Sequence, residues 1–127
     1  MMNSMSIRPR NSVIFICDPT FLSDPALGTI PVLTKGSAVA ATESRISIAC
    51  ASEQDGPTRV TFGRTDEIAA EGAPDLDCQV ETPAKTVNLA TVGQDAVFSL
   101  KVGETLTRVR VWINHPRWPD EVAIGIG

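Results

Sequence analysis

Apolar and polar residues alternate with a period of two along much of the chain. Successive side chains of a strand point to opposite faces, so each such stretch predicts a strand with one buried side. The clearest is Thr105–Ile113, where Val109, Val111 and Ile113 share one face and Arg108, Arg110 and Trp112 the other. Two prolines, Pro116 and Pro119, interrupt the ladder, and Val122, Ile124 and Ile126 then resume the alternation in a last strand. Upstream, Lys85–Val92 and Ala96–Val102 lead into Thr105–Ile113 across Gly93 and Gly103, which predicts a three-stranded meander. Arg45–Ala51 sets Ile46, Ile48 and Cys50 on one side and Thr58–Gly63 does the same with Val60 and Phe62; the turn at 53–57 between them predicts a hairpin. Ser12–Cys17 holds an unbroken Val-Ile-Phe-Ile run, the pattern of a strand covered on both faces.

The intervening segments are weaker. Asp18-Pro19, Asp24-Pro25, Gly28 and Pro31 punctuate a long connection anchored by Phe21, Leu22 and Leu27, with Thr29–Leu33 as a short edge strand. Lys35–Glu43 reads as one or two helical turns or as loop. Arg64–Asp77 is acidic and reads as a surface loop with a turn of helix over Asp66–Ala70, and Cys78–Glu81 as a short strand. The sum is an all-β chain: an antiparallel β-sandwich of seven to nine strands in a single domain, residues 12–127, behind a flexible leader at residues 1–11. The apolar patch Val13–Cys17 is too short for a signal-peptide core, and no segment approaches the roughly 20 apolar residues that span a bilayer, so no membrane partner is expected.

Charge narrows the class of partner. Fifteen acids against eleven Lys and Arg give a net charge of −4, which argues against a general polyanion binder and so against nucleic acid as ligand. A basic protein is better steered toward such a surface. Cys17, Cys50 and Cys78 are odd in number and lack the CxxC spacing of a zinc site. Cys17 is in phase with Val13 and Phe15, and Cys50 with Ile46 and Ile48, so both read as buried free thiols, which fit the reducing cytoplasm.

Few residues point to chemistry. His115 is the sole imidazole and no nucleophile or orienting carboxylate is tied to it by spacing, so no catalytic set is assigned and the chain reads as a non-enzyme without cofactor. The pairs Asp18 and Asp24, Asp75 and Asp77, and Asp120 and Glu121 raise the question of calcium, but match no calcium loop and read as solvated turn acids. What remains is a partner-binding set: Arg108, Arg110 and Trp112 on one strand face, with His115 and Trp118 in the link that follows. Tryptophan and arginine dominate binding hot spots because they bury much area at modest entropic cost. The alternative is structural, with Trp112 packed under a neighbouring loop and the arginines paired with Glu104 or Glu121.

The order of the Arg45–Gly63 block, an acidic loop, Val87–Leu89, Val97-Phe98-Ser99-Leu100, a glycine turn and an alternating strand with a central Trp112 resembles the competence protein J family of small nuclease inhibitors. The likeness continues through the proline-containing link to Asp120–Ile126 and covers about two thirds of the chain as pattern. It implies an acidic, non-catalytic sandwich of inhibitor or immunity type that docks on a basic nuclease. Two other readings stand beside it: a small-ligand or carbohydrate-binding sandwich with Trp118 and His115 lining a shallow site at the sheet end, and a structural subunit of a phage particle or secretion machine. The sequence leaves the oligomeric state open.

Overall fold

The computed structural model describes residues 3–23, 28, 31–33, 36–52 and 54–127. Among them are ten strands and one short α-helix: β1 (Asn3–Ile7), β2 (Val13–Cys17), α1 (Pro19–Ser23), β3 (Val39–Ala41), β4 (Arg45–Ala49), β5 (Thr58–Arg64), β6 (Leu76–Glu81), β7 (Thr86–Thr91), β8 (Gln94–Lys101), β9 (Leu106–Ile113) and β10 (Glu121–Ile126). They form two five-stranded sheets, ordered β1-β5-β10-β9-β6 and β3-β4-β2-β7-β8. Every pair is antiparallel except β5 with β10. The molecule is therefore the expected β-sandwich.

Each sheet turns one apolar face inward. Ile14, Ile16, Ile46, Ile48 and Leu89 of the second sheet meet Val60, Phe62, Val109, Val111 and Ile124 of the first, all essentially without solvent exposure. Each such side chain contributes about 1.5–3 kcal/mol of burial. Phe62 of β5 and Phe98 of β8 stack across the core at 5.7 Å between ring centroids.

The connections differ from the sequence reading. β4 and β5 do not form a hairpin: β4 pairs with β2 and β3, whereas β5 pairs with β1 and β10. The predicted meander breaks in the same way. β7 and β8 form a hairpin whose turn places Gly93 at φ +91°, but β9 crosses to the first sheet. Both sheets bury alternate residues against one core, so alternation reports that a strand has a buried face and is silent on which sheet carries it. Asn3–Ile7, expected within a flexible leader, pairs along its length with β5 from Asn3 opposite Phe62 to Ile7 opposite Thr58. Val39–Ala41, expected as helical turn or loop, is a strand, because pairing with β4 overrides alanine's helical preference. The expected edge strand at 29–33 and the residues Asp24, Pro25 and Leu27 lie wholly or partly outside the described residues.

One corner shows why a loop acid is not always a solvated one. Asp18 is fully buried; its Oδ1 accepts the Thr20 N–H at 2.8 Å, capping α1, and its Oδ2 accepts the Ala84 N–H at 2.8 Å. α1 seats Phe21 beneath the Arg45 guanidinium, 5.7 Å from the ring centroid, and Arg45 Nη2 donates to the Phe21 carbonyl at 2.7 Å. Cys17 thus belongs to this outer corner, opposite Arg45 and Asn88, and is buried there, while Ile14 and Ile16 are the core residues of β2.

Candidate functional site

The outward face of the first sheet is where the sequence-predicted residues gather. On β9 the register sets Arg110 opposite Asp77 of β6 and Trp112 opposite Ala123 of β10. Arg108 donates from Nε to Asp77 Oδ1 at 2.7 Å and from Nη2 to Oδ2 at 2.6 Å, a forked pair, while Arg110 Nε lies 3.7 Å from the same carboxylate. The Arg108 hydrogen bonds, then the positive charges of both arginines, hold the Asp77 carboxyl below its ordinary range. The arginines therefore do pair with an acid, but with Asp77 in place of Glu104 or Glu121. Glu121 stands opposite Arg59 of β5.

Trp112 is half-buried and packs under a loop, as the structural alternative required. Its Nε1 donates to the Gly72 carbonyl at 3.1 Å. Asp75 secures the same loop, accepting the Ile113 N–H on Oδ2 at 2.8 Å and donating its own N–H to the Val111 carbonyl at 2.8 Å. At the loop's start a 3₁₀ turn, Thr65–Glu67, replaces the helix expected over 66–70. It lies directly on β10 at Gly125. A Cβ there would stand 2.8 Å from Thr65 Oγ1 and 3.1 Å from Thr65 Cα, so only glycine lets the loop approach this closely. Between loop and sheet runs an open groove of about 570 Å³, walled by Trp112, Asn114, Arg59 and Glu121 on the sheet side and by Ala70, Glu71, Ala73 and Asp75 on the loop side.

The link between β9 and β10 closes the adjoining end of the sandwich. Asn114 Oδ1 accepts the Asp120 and Glu121 N–H groups, both at 3.1 Å, and its Nδ2 donates to Asp120 Oδ1 at 2.5 Å. Carbonyls of Pro116 and Pro119 accept from Ala38 and Ala51, tying the link to the second sheet. His115 uses Nδ1 to accept two backbone N–H groups, from Arg117 at 3.1 Å and Trp118 at 3.0 Å. Its ring stacks on Trp118 at 5.5 Å between centroids. Trp118 is nonetheless 62% exposed, an indole held in place by its neighbour and offered to solvent.

The structure thus divides the predicted set. Arg108 and Arg110 meet at Asp77, Trp112 walls the groove, and His115 with Trp118 forms a separate exposed stack just past Asn114. His115 and Trp118 stack on each other and do not line the groove. Sequence reasoning missed Arg59, Glu71, Asp75 and Glu121 as groove residues. The acids were visible as turn residues, but nothing in their spacing said that the loop folds back over the sheet.

No protein-family model and no curated protein sequence matches the chain. The fold places it among two-sheet, antiparallel-dominated sandwiches whose sheets stay open at their edges. Among solved structures it is similar to ComJ, inhibitor of the DNA degrading activity of NucA, from Bacillus subtilis, with a TM-score of 0.51 at 9% identity, over 99% of this chain and 93% of that one. The resemblance read from the order of strands is met in the fold.

Proposed function

We propose that this protein is a non-catalytic inhibitor-type module that docks on a basic partner protein, a nuclease, and blocks it. The observation that carries this reading is the likeness, along nearly the whole chain, to the fold of a nuclease inhibitor. The surface is consistent with it. Trp118 is a pre-ordered, exposed aromatic of the kind that anchors interfaces, followed in the chain by the exposed Asp120 and Glu121, while Glu71, Asp75 and Glu121 line the groove. Arg108 and Arg110 lie further along the same sheet face, where Asp77 offsets part of their charge. His115 positions Trp118. The free thiols suit a reducing compartment, and the cytoplasm is the setting we assign.

The test is association with purified basic nucleases from the organism that carries the gene, followed at rising salt. Binding steered by opposite charges slows by about tenfold or more between low and physiological ionic strength, where exposed charges reach only about 8 Å. Association that is indifferent to salt contradicts the electrostatic part of the reading.

A further inference from the structure

We propose that the groove between the 65–75 loop and the first sheet is a receptor for one arginine side chain of the partner, its guanidinium lying on the Trp112 indole and meeting the carboxylates of Glu71, Asp75 and Glu121. The proposal rests on the protein-binding reading above and names the chemistry that the site selects. Three carboxylates face one guanidinium, Arg59, in the lining, a net charge of −2. Arg59 is drawn toward the sheet edge, where its Nε donates to Ser4 Oγ at 3.3 Å. Arg108 and Arg110 are turned to Asp77 and, for Arg110 Nη1, to the Gly127 carbonyl at 3.3 Å, and neither lines the groove. The net negative charge of the lining therefore favours a cation from outside.

Shape favours guanidinium over ammonium. The Trp112 ring is fixed by its bond to Gly72, which leaves a set aromatic wall for a planar cation to stack on. Ala70, Ala73 and Ala123 are small and leave room for an aliphatic stem. Asp75 spends Oδ2 on the Ile113 N–H and keeps Oδ1, which with Glu71 and Glu121 supplies the acceptors that a five-donor fork requires. A lysine ammonium would use the charge but neither the plane nor the fork.

The experiment titrates a Gly-Arg-Gly amide peptide into the whole protein and follows the two tryptophan indole N–H signals by NMR, with citrulline and lysine peptides as controls. The Trp112 signal is expected to shift saturably and the Trp118 signal to stay in place. The citrulline peptide, which lacks the charge, should leave Trp112 unmoved, and the lysine peptide should bind about tenfold more weakly. Glu71→Gln with Glu121→Gln should weaken the arginine peptide by about tenfold or more at an unchanged melting temperature. No saturation at Trp112, equal response to citrulline or lysine, or indifference to the double substitution overturns the assignment. If the peptide fails while the protein still blocks a nuclease, the groove assignment falls and the inhibitor reading stands; if the peptide binds and no nuclease is blocked, the reverse holds.

Discussion

Burial pushes the Cys50 thiol from its ordinary 9.0 up to about 12, only partly relieved by the nearby Thr58 hydroxyl. Below pH 9 the thiol is neutral in the folded and the unfolded chain alike, so its burial has no pH dependence. Above pH 9 the unfolded chain ionises and the folded one resists. Stability should then fall between pH 9 and about 12, with a slope of up to about 1.4 kcal/mol per pH unit. Cys78 adds to the same trend, raised first by burial and then by the neighbouring Asp77 charge. Urea titrations across this range on the parent and on Cys50→Ala should show a flatter profile in the variant; parallel profiles would contradict the assignment. The burial of Cys50 was legible in its phase with Ile46 and Ile48. Cys17 kept a similar phase with Val13 and Phe15 but lies outside the central core, opposite Arg45 and Asn88, because phase identifies a face and not what covers it.

At the level of elements, the parallel β5–β10 pair and the loop above it depend on Gly125. Its substitution by alanine sets a Cβ against the Thr65 backbone, 3.1 Å from Cα. The loop or the strand must then shift. We expect Gly125→Ala to cost about 1–3 kcal/mol of stability, read from denaturant midpoints, and to loosen the cover over Trp112, read as faster hydrogen exchange at its indole N–H. A variant as stable as the parent with an unchanged exchange rate would show that the loop does not rest on this strand. The strands themselves were readable because a half-buried strand writes its period into the sequence. Their partners were not. Val60 and Ile48 have the same apolar signature and lie in opposite sheets, and the links at Gln54–Pro57 and Gly103–Thr105 carry residues that suit a crossing as well as a hairpin. The groove was hidden for the same reason, since it needs Glu71 of a loop, Arg59 of β5 and Glu121 of β10 to meet on one face.

For the molecule as a whole, the −4 charge, the order of elements and the C-terminal tryptophans pointed toward a binding sandwich before any coordinates, and the fold agrees with that order along the chain. Trp112 turns out to be a wall and Trp118 an exposed indole, a division that sequence could not make because both follow strand-like or turn-like neighbours. Under the proposed function, inhibition would take a simple physical form: the face with the exposed Trp118 indole and the Trp112-walled groove would occupy a basic surface that otherwise holds nucleic acid. The most direct measurement is DNA degradation by a basic nuclease from the same organism, titrated with this protein and with its Trp118→Ala variant. The account predicts that degradation stops at about one equivalent of the parent, and that the variant, equally folded, needs at least about thirtyfold more, the equivalent of roughly 2 kcal/mol of lost binding. Unimpeded degradation at saturating protein, or a variant as potent as the parent, would contradict it.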